Sequence, residues 1–343
     1  MLPASRLAIG LILALAGAGA APAAGDPLAA LQAAIATETE RNGAASPYLL
    51  PLFEQLARLQ FRTGDLTAAT AAQRRNLTVA VTMFGSASPS SAEAMTALAE
   101  AKLDQLHYLD AEALLIAADN AIAAPPGDDG QALVPVLAGL ARIALARGDL
   151  AVARARAEQA VALRAKNPFP RSAEALRVLG AVLAAQRDFD AGETALNQAI
   201  AFDRAKRDSE NLETARSLSQ LGNLYLRAER FGDALAPLEE AAAIDQDRLG
   251  PAHPFIADDL HDLGIAYDGL KRPGDARRVL ADAVERLRHG TEKTSPRIAF
   301  CELELARIDR AAGDSTEADA EFRRARRLLD ATEQEEHNRE RQI

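Results

Sequence analysis

The chain has 343 residues, with 39 Lys and Arg against 49 Asp and Glu, a formal charge of −10. Such a balance argues against nucleic acid as the main partner, because phosphate binding calls for a basic surface. The single cysteine, Cys301, excludes an intrachain disulfide and a cysteine-based zinc site, and abundant alanine with few aromatic residues favours closely packed helices over sheet.

Residues 1–20, MLPASRLAIGLILALAGAGA, read as a secretory signal peptide. Arg6 supplies the positive start, Leu7 to about Leu15 a short apolar core, and Ala18-Gly19-Ala20 a cleavage site, with Ala21-Pro22-Ala23 as the alternative later one. The expectation is a periplasmic or secreted protein. An uncleaved N-terminal membrane anchor is the alternative, although the apolar run is short against the roughly 20 residues of a span. No stable membrane span is expected after cleavage.

From Asp26 onward the expectation is helix throughout. Asp26 can cap a helix that Pro27 opens. Beyond it one pattern recurs. A small residue follows each turn at Ala69, Ala111, Ala153, Gly192, Ala234, Ala276 and Ala318, in steps of 42, 42, 39, 42, 42 and 42 residues. Thirteen residues earlier stands leucine in every copy: Leu56, Leu98, Leu140, Leu179, Leu221, Leu263 and Leu305. The residue after that leucine is always Ala or Gly, and a second small residue follows the anchor by seven in six of the copies. Proline is expected to open five of the seven first helices, at Pro47, Pro89, Pro170, Pro254 and Pro296. Turns such as RTGDL at 62–66, ARGDL at 146–150 and AAGDS at 311–315 separate the two helices of a copy. Each helix has one apolar and one charged face, so a hairpin buries its core only by stacking on neighbours.

The predicted repeats are 46–85, 86–127, 128–168, 169–208, 209–250, 251–292 and 293–332, within a unit spanning 26–332. Helix 26–42 falls where a second helix would stand and acts as a capping half-repeat. Residues 333–343 are a polar tail, read as a fraying helix end or a disordered segment.

The unit resembles the tetratricopeptide repeat, with Leu-Gly-x-x-Tyr on the first helix, as at 263–267, and two spaced alanines on the second. The long period and the LGPAHP linker at 249–254 resemble repeats of the kinesin light chain type. That resemblance implies an all-α, right-handed superhelical solenoid of about seven hairpins plus the half-repeat. It implies a protein or peptide partner held in a concave groove lined by the first helices. It also implies that residues 18, 15 and 11 before each anchor point into the groove. In the central copies these are Arg142, Arg177, Arg216, Asn223 and His261.

Arginine forks and an amide suit an acidic segment or a chain-terminal carboxylate. The competing reading is a solvated mixed face whose arginines pair with Glu174, Asp258 or Asp262. A structural subunit of a cell-envelope complex, using the convex face or the ends, is the alternative function. No phosphate-binding glycine loop, G-x-S-x-G or H-E-x-x-H is present, so no catalytic residue, metal or cofactor is expected. His253 reads as part of the linker and Cys301 as a small core residue.

Overall fold

A computed structural model of the protein describes residues 26–122, 130, 132–166, 173–205, 212–290 and 295–340, with side chains through residue 332. The leader read at 1–20 and Pro170 lie outside them. The described residues form helices joined by turns, with no strand among them.

Helix α1 (Pro27–Asn42) is the half-repeat, and the Asp26 carboxylate caps it by accepting from the Leu28 amide. Seven hairpins follow: α2 (Leu49–Arg62) with α3 (Leu66–Phe84), α4 (Pro89–Asp104) with α5 (Tyr108–Ile122), and α6 (Leu133–Ala146) with α7 (Leu150–Ala165). Next come α8 (Glu174–Ala185) with α9 (Phe189–Ala205), α10 (Leu212–Arg227) with α11 (Phe231–Leu249), and α12 (Pro254–Gly269) with α13 (Pro273–His289). The last pair is α14 (Pro296–Ala312) with α15 (Ser315–Glu340). Proline is the first residue of α4, α12 and α14, whereas Pro47 lies two residues ahead of α2. Helix α15 runs on through the polar segment to Glu340.

From α4 to α14 each first helix touches the first helix of the next repeat, so these helices form a continuous inner wall. The second helices stand outside it. The result is a superhelical solenoid whose core is a series of small apolar clusters that span neighbouring hairpins.

The recurring small residues explain how closely the helices pack. The anchors Ala111, Ala153, Ala234, Ala276 and Ala318 are fully buried, as are Ala118, Ala160, Ala199, Ala241, Ala283 and Ala325 seven residues on. At the small residue of the first helix, a Cβ on Gly180, Gly222 or Gly264 would lie 2.5, 2.4 or 2.6 Å from the side chain of Leu196, Leu238 or Leu280. The two helices of a hairpin therefore meet backbone to leucine, at interior packing density.

One turn geometry joins all seven hairpins. Five residues before each anchor the backbone enters the left-handed region, at Gly64, Leu106, Gly148, Arg187, Glu229, Lys271 and Gly313. The next amide in each copy reaches back to a carbonyl of the preceding helix, as from Asp65 to Gln60 and from Arg230 to Tyr225. This closes the helix end in the manner of a Schellman motif. Glycine supplies the geometry in three copies; four other residues adopt it under constraint from the packed hairpin.

Candidate partner-binding channel

The inner wall carries charge from four consecutive first helices. Arg142 on α6 and Arg216 on α10 both reach the carboxylate of Asp104 at the end of α4, at 3.9 and 3.8 Å. Arg216 also lies 3.7 Å from Glu213. These separations exceed hydrogen-bond range, so both guanidinium groups are neutralised loosely and stay half exposed. Glu100, which stands 11 residues before its anchor as Arg142 does, faces the same space. Burial pushes its carboxyl up to about 8, reinforced by Glu174 and Asp104, while Arg216 and Arg142 pull the other way. The centre of the channel thus brings together two arginines and three carboxyl groups from α4, α6, α8 and α10.

Arg177 is withdrawn from this space. Only 7% of it is exposed, and its guanidinium lies 3.3 Å from Asp203 and 2.5 Å from Glu213. Ser217 donates to the same Asp203 carboxylate at 2.7 Å. The expectation that Arg177 lines the groove is therefore corrected, and the reason is helical phase. Positions 18 and 11 before the anchor are two turns apart and share one face. Position 15 is rotated about 60° from the first and about 40° from the second, toward the neighbouring repeat. Thr96 and Ala138, at the same position in earlier copies, are buried as well.

Asn223 and His261 form a second group farther along. Asn223 donates to the Asp262 carboxylate at 2.5 Å, and His261 Nδ1 lies 3.3 Å from the other Asp262 oxygen. Burial disfavours a charged His261 ring, but Asp262 and Asp258 outweigh it and raise its proton affinity. Asp104 and Glu213 stand against the arginines, and Asp258 is taken by Arg297, at 2.9 Å to each oxygen.

The far wall of the channel comes from residues distant in sequence. The His253 ring Nε2 donates to the Phe61 carbonyl at 2.9 Å. The Phe61, His253 and Phe255 rings meet edge to face at 5.0–5.4 Å. The Arg216 guanidinium lies over the Phe61 and Phe255 rings at 5.7 and 5.3 Å. Arg297 donates to the Asp104 carbonyl at 2.9 Å. His253 also caps α12, its Nδ1 accepting from the Phe255 amide at 3.2 Å. With Nδ1 an acceptor, Nε2 must carry the proton, and burial lowers the ring pKa to about 4, which keeps it neutral.

The sequence reading named neither Glu100 nor Asp104; the available signal was that Glu100 repeats the position of Arg142, 11 residues before its anchor, whereas Asp104 stands at none of the groove positions. Phe61 and His253 carried no such signal. Cys301 is 1% exposed within the core between the last repeats, and burial raises its thiol pKa. Among the described residues no group of three or more His, Cys, Asp or Glu stands where it would hold a metal ion. No described helix is long and apolar enough to cross a membrane.

Comparison with known proteins agrees with this architecture. Residues 171–247 match the family model described as tetratricopeptide repeat. Nephrocystin-3 of Homo sapiens is 32% identical over 89 residues, covering 24% of this chain and 7% of that protein. Among solved structures, a Rap protein complexed with competence and sporulation factor superposes with a TM-score of 0.62 at 12% identity, covering 81% of this chain and 76% of that one. Repeats of a putative kinesin light chain from Podosopora anserina share 22% identity at a TM-score of 0.41, over 59% of this chain and 97% of that one. Residues 171–247 thus match the tetratricopeptide repeat, within a chain whose seven-fold register and left-handed turn recur in every copy.

Proposed function

We propose that the protein is an exported interaction scaffold whose inner channel receives an extended segment or helix of a partner protein. Proteins of this repeat type generally mediate protein–protein interaction and are typically non-catalytic, which supports the coarse reading. The observation that carries the finer one is the convergence of Arg142, Arg216, Glu100, Asp104 and Glu174 from four helices into one space.

That arrangement favours a segment of mixed charge over a purely acidic one. Arg142 and Arg216 hold Asp104 only loosely and retain donors for a carboxylate. Glu100, pushed up to about 8, gains most from an arriving basic group. The test is capture of partners from a cell-envelope extract by the wild type and by variants. Arg142→Ala with Arg216→Ala should weaken the recovered partner. Glu100→Gln separates the charge readings: it weakens a partner anchored by a basic group, which needs Glu100 ionised, and changes little for one anchored only by carboxylates. Undiminished capture by both variants at physiological salt removes the channel assignment.

Export is supported by Arg6, the apolar run from Leu7 and the small residues at 18–20. Sequencing the mature N-terminus should place it near Ala21 or Ala24. An intact Met1 in a soluble cytosolic fraction would contradict it.

A further inference from the structure

We propose that the turn after α2 is a latch that holds the solenoid closed across its inner channel, and that a segment entering the channel must release it. This regulation rests on the channel reading above.

The latch joins parts of the chain that no local rule brings together. Phe61 and His253 are 192 residues apart, and Asp104 and Arg297 are 193 apart. At the first tie the Phe61 carbonyl accepts from His253, and its ring sits against His253 and Phe255. Gly64 packs against Pro254 so closely that a Cβ there would already be in contact, at 3.4 Å. At the second tie Arg297 spans from α14 to the final carbonyl of α4.

Every other junction between repeats is a full helix face with buried alanine and leucine. Among the described residues the latch shows two hydrogen bonds, a ring cluster with the Arg216 and Arg297 guanidinium groups over it, and the Gly64–Pro254 contact, with no full helix face. It is therefore the junction that opens at least cost.

Arg216 couples the latch to the channel. Its guanidinium covers the Phe61 and Phe255 rings and reaches Asp104 at the same time. A carboxylate that draws Arg216 into the channel takes it off the latch rings and frees Asp104. Binding and opening are then linked, because the ligand contacts differ between the closed and open states.

The experiment uses the full chain with spin labels at Thr63→Cys and Ala252→Cys, both exposed positions flanking the first tie. Cys301 is buried and stays unlabelled. The latched protein should give one short, narrow distance. Phe61→Ala with Arg297→Ala should give a longer and broader distribution while the helical circular dichroism is retained. His253→Asn preserves a cap for α12 but cannot reach the Phe61 carbonyl, and should shift part of the population.

A second readout is access. In an Arg142→Cys variant, a polymer-coupled maleimide should react about tenfold or more faster once the latch is broken, whereas N-ethylmaleimide changes little. An unchanged distance distribution and an unchanged polymer rate in the double variant overturn the latch. A latch that opens in a protein whose channel variants capture partners normally instead overturns the channel reading alone.

Discussion

Ser217 and Asp259 occupy the same place one repeat apart, and their different chemistry makes one interface neutral and the next acidic. Ser217 donates to buried Asp203, which Arg177 also neutralises. One copy later Asp259, 2% exposed, stands beside Asp245, 4% exposed, and Ser219 takes the place of Arg177. Ser219 donates to Asp259 at 2.5 Å but brings no charge. Burial and the neighbouring carboxyls raise Asp259 well above an ordinary aspartate, and burial holds Asp245 at about 7 against an unfolded 3.8.

That pair gives the fold a pH dependence with a definite sign. Below pH 3.8 Asp245 is protonated in both states. Between 3.8 and about 7 the unfolded chain ionises while buried Asp245 keeps its proton, so stability falls as pH rises and levels off above about 7. Asp245→Asn should flatten that slope and stabilise the protein by roughly 2 kcal/mol at pH 8. Thermal unfolding of both proteins at pH 5 and pH 8 measures it. An equal loss of Tm with pH in the two would refute the assignment.

Arg177 and Arg142 should behave oppositely under alanine substitution. Arg177→Ala leaves Asp203 buried without its cation and should cost about 3–5 kcal/mol. Arg142 is half exposed with a loose pair, and its removal should cost less than about 1 kcal/mol. Urea unfolding separates them. Lost binding in an Arg177 variant would therefore report a loosened fold, and the channel is best probed at Arg142 and Arg216.

The left-handed turns offer stabilising changes. Glu229 and Lys271 adopt φ of 58° and 61° at a place where Gly64, Gly148 and Gly313 stand in other copies. Each Glu229→Gly or Lys271→Gly change removes strain worth about 1 kcal/mol, partly offset by the entropy of a more flexible unfolded chain. A small rise in Tm for each, adding in the double variant, is the expected result. A fall in both would show that the side chains support the turn.

The glycine–leucine contacts should be coupled. Gly222→Ala drives a methyl into Leu238 and should cost about 1–3 kcal/mol. Leu238→Ala, from a fully buried position, should cost about 2–5 kcal/mol. Combined, they should cost less than their sum, because the new methyl enters the space the leucine vacates. Strict additivity in denaturant titration would contradict the packing.

The repeat register alone determined the helices, their order and the turns between them. Leucine and small residues at constant spacing leave a hairpin one way to bury its apolar stripes. The capping half-repeat at Pro27 and the burial of Cys301 followed from the same local rule. The wall residues were half legible. Arg142, Arg216 and Glu100 share a helical phase that spacing reveals, whereas Arg177 at position 15 needed the tilt of the neighbouring repeat to show that it packs inward.

Only the tertiary structure decided that Phe61 meets His253. Each hairpin is rotated slightly against the last, and that rotation accumulates over five repeats. No residue encodes the sum locally, so the closure of the channel and the sharing of Arg216 between wall and latch are properties of superhelical pitch.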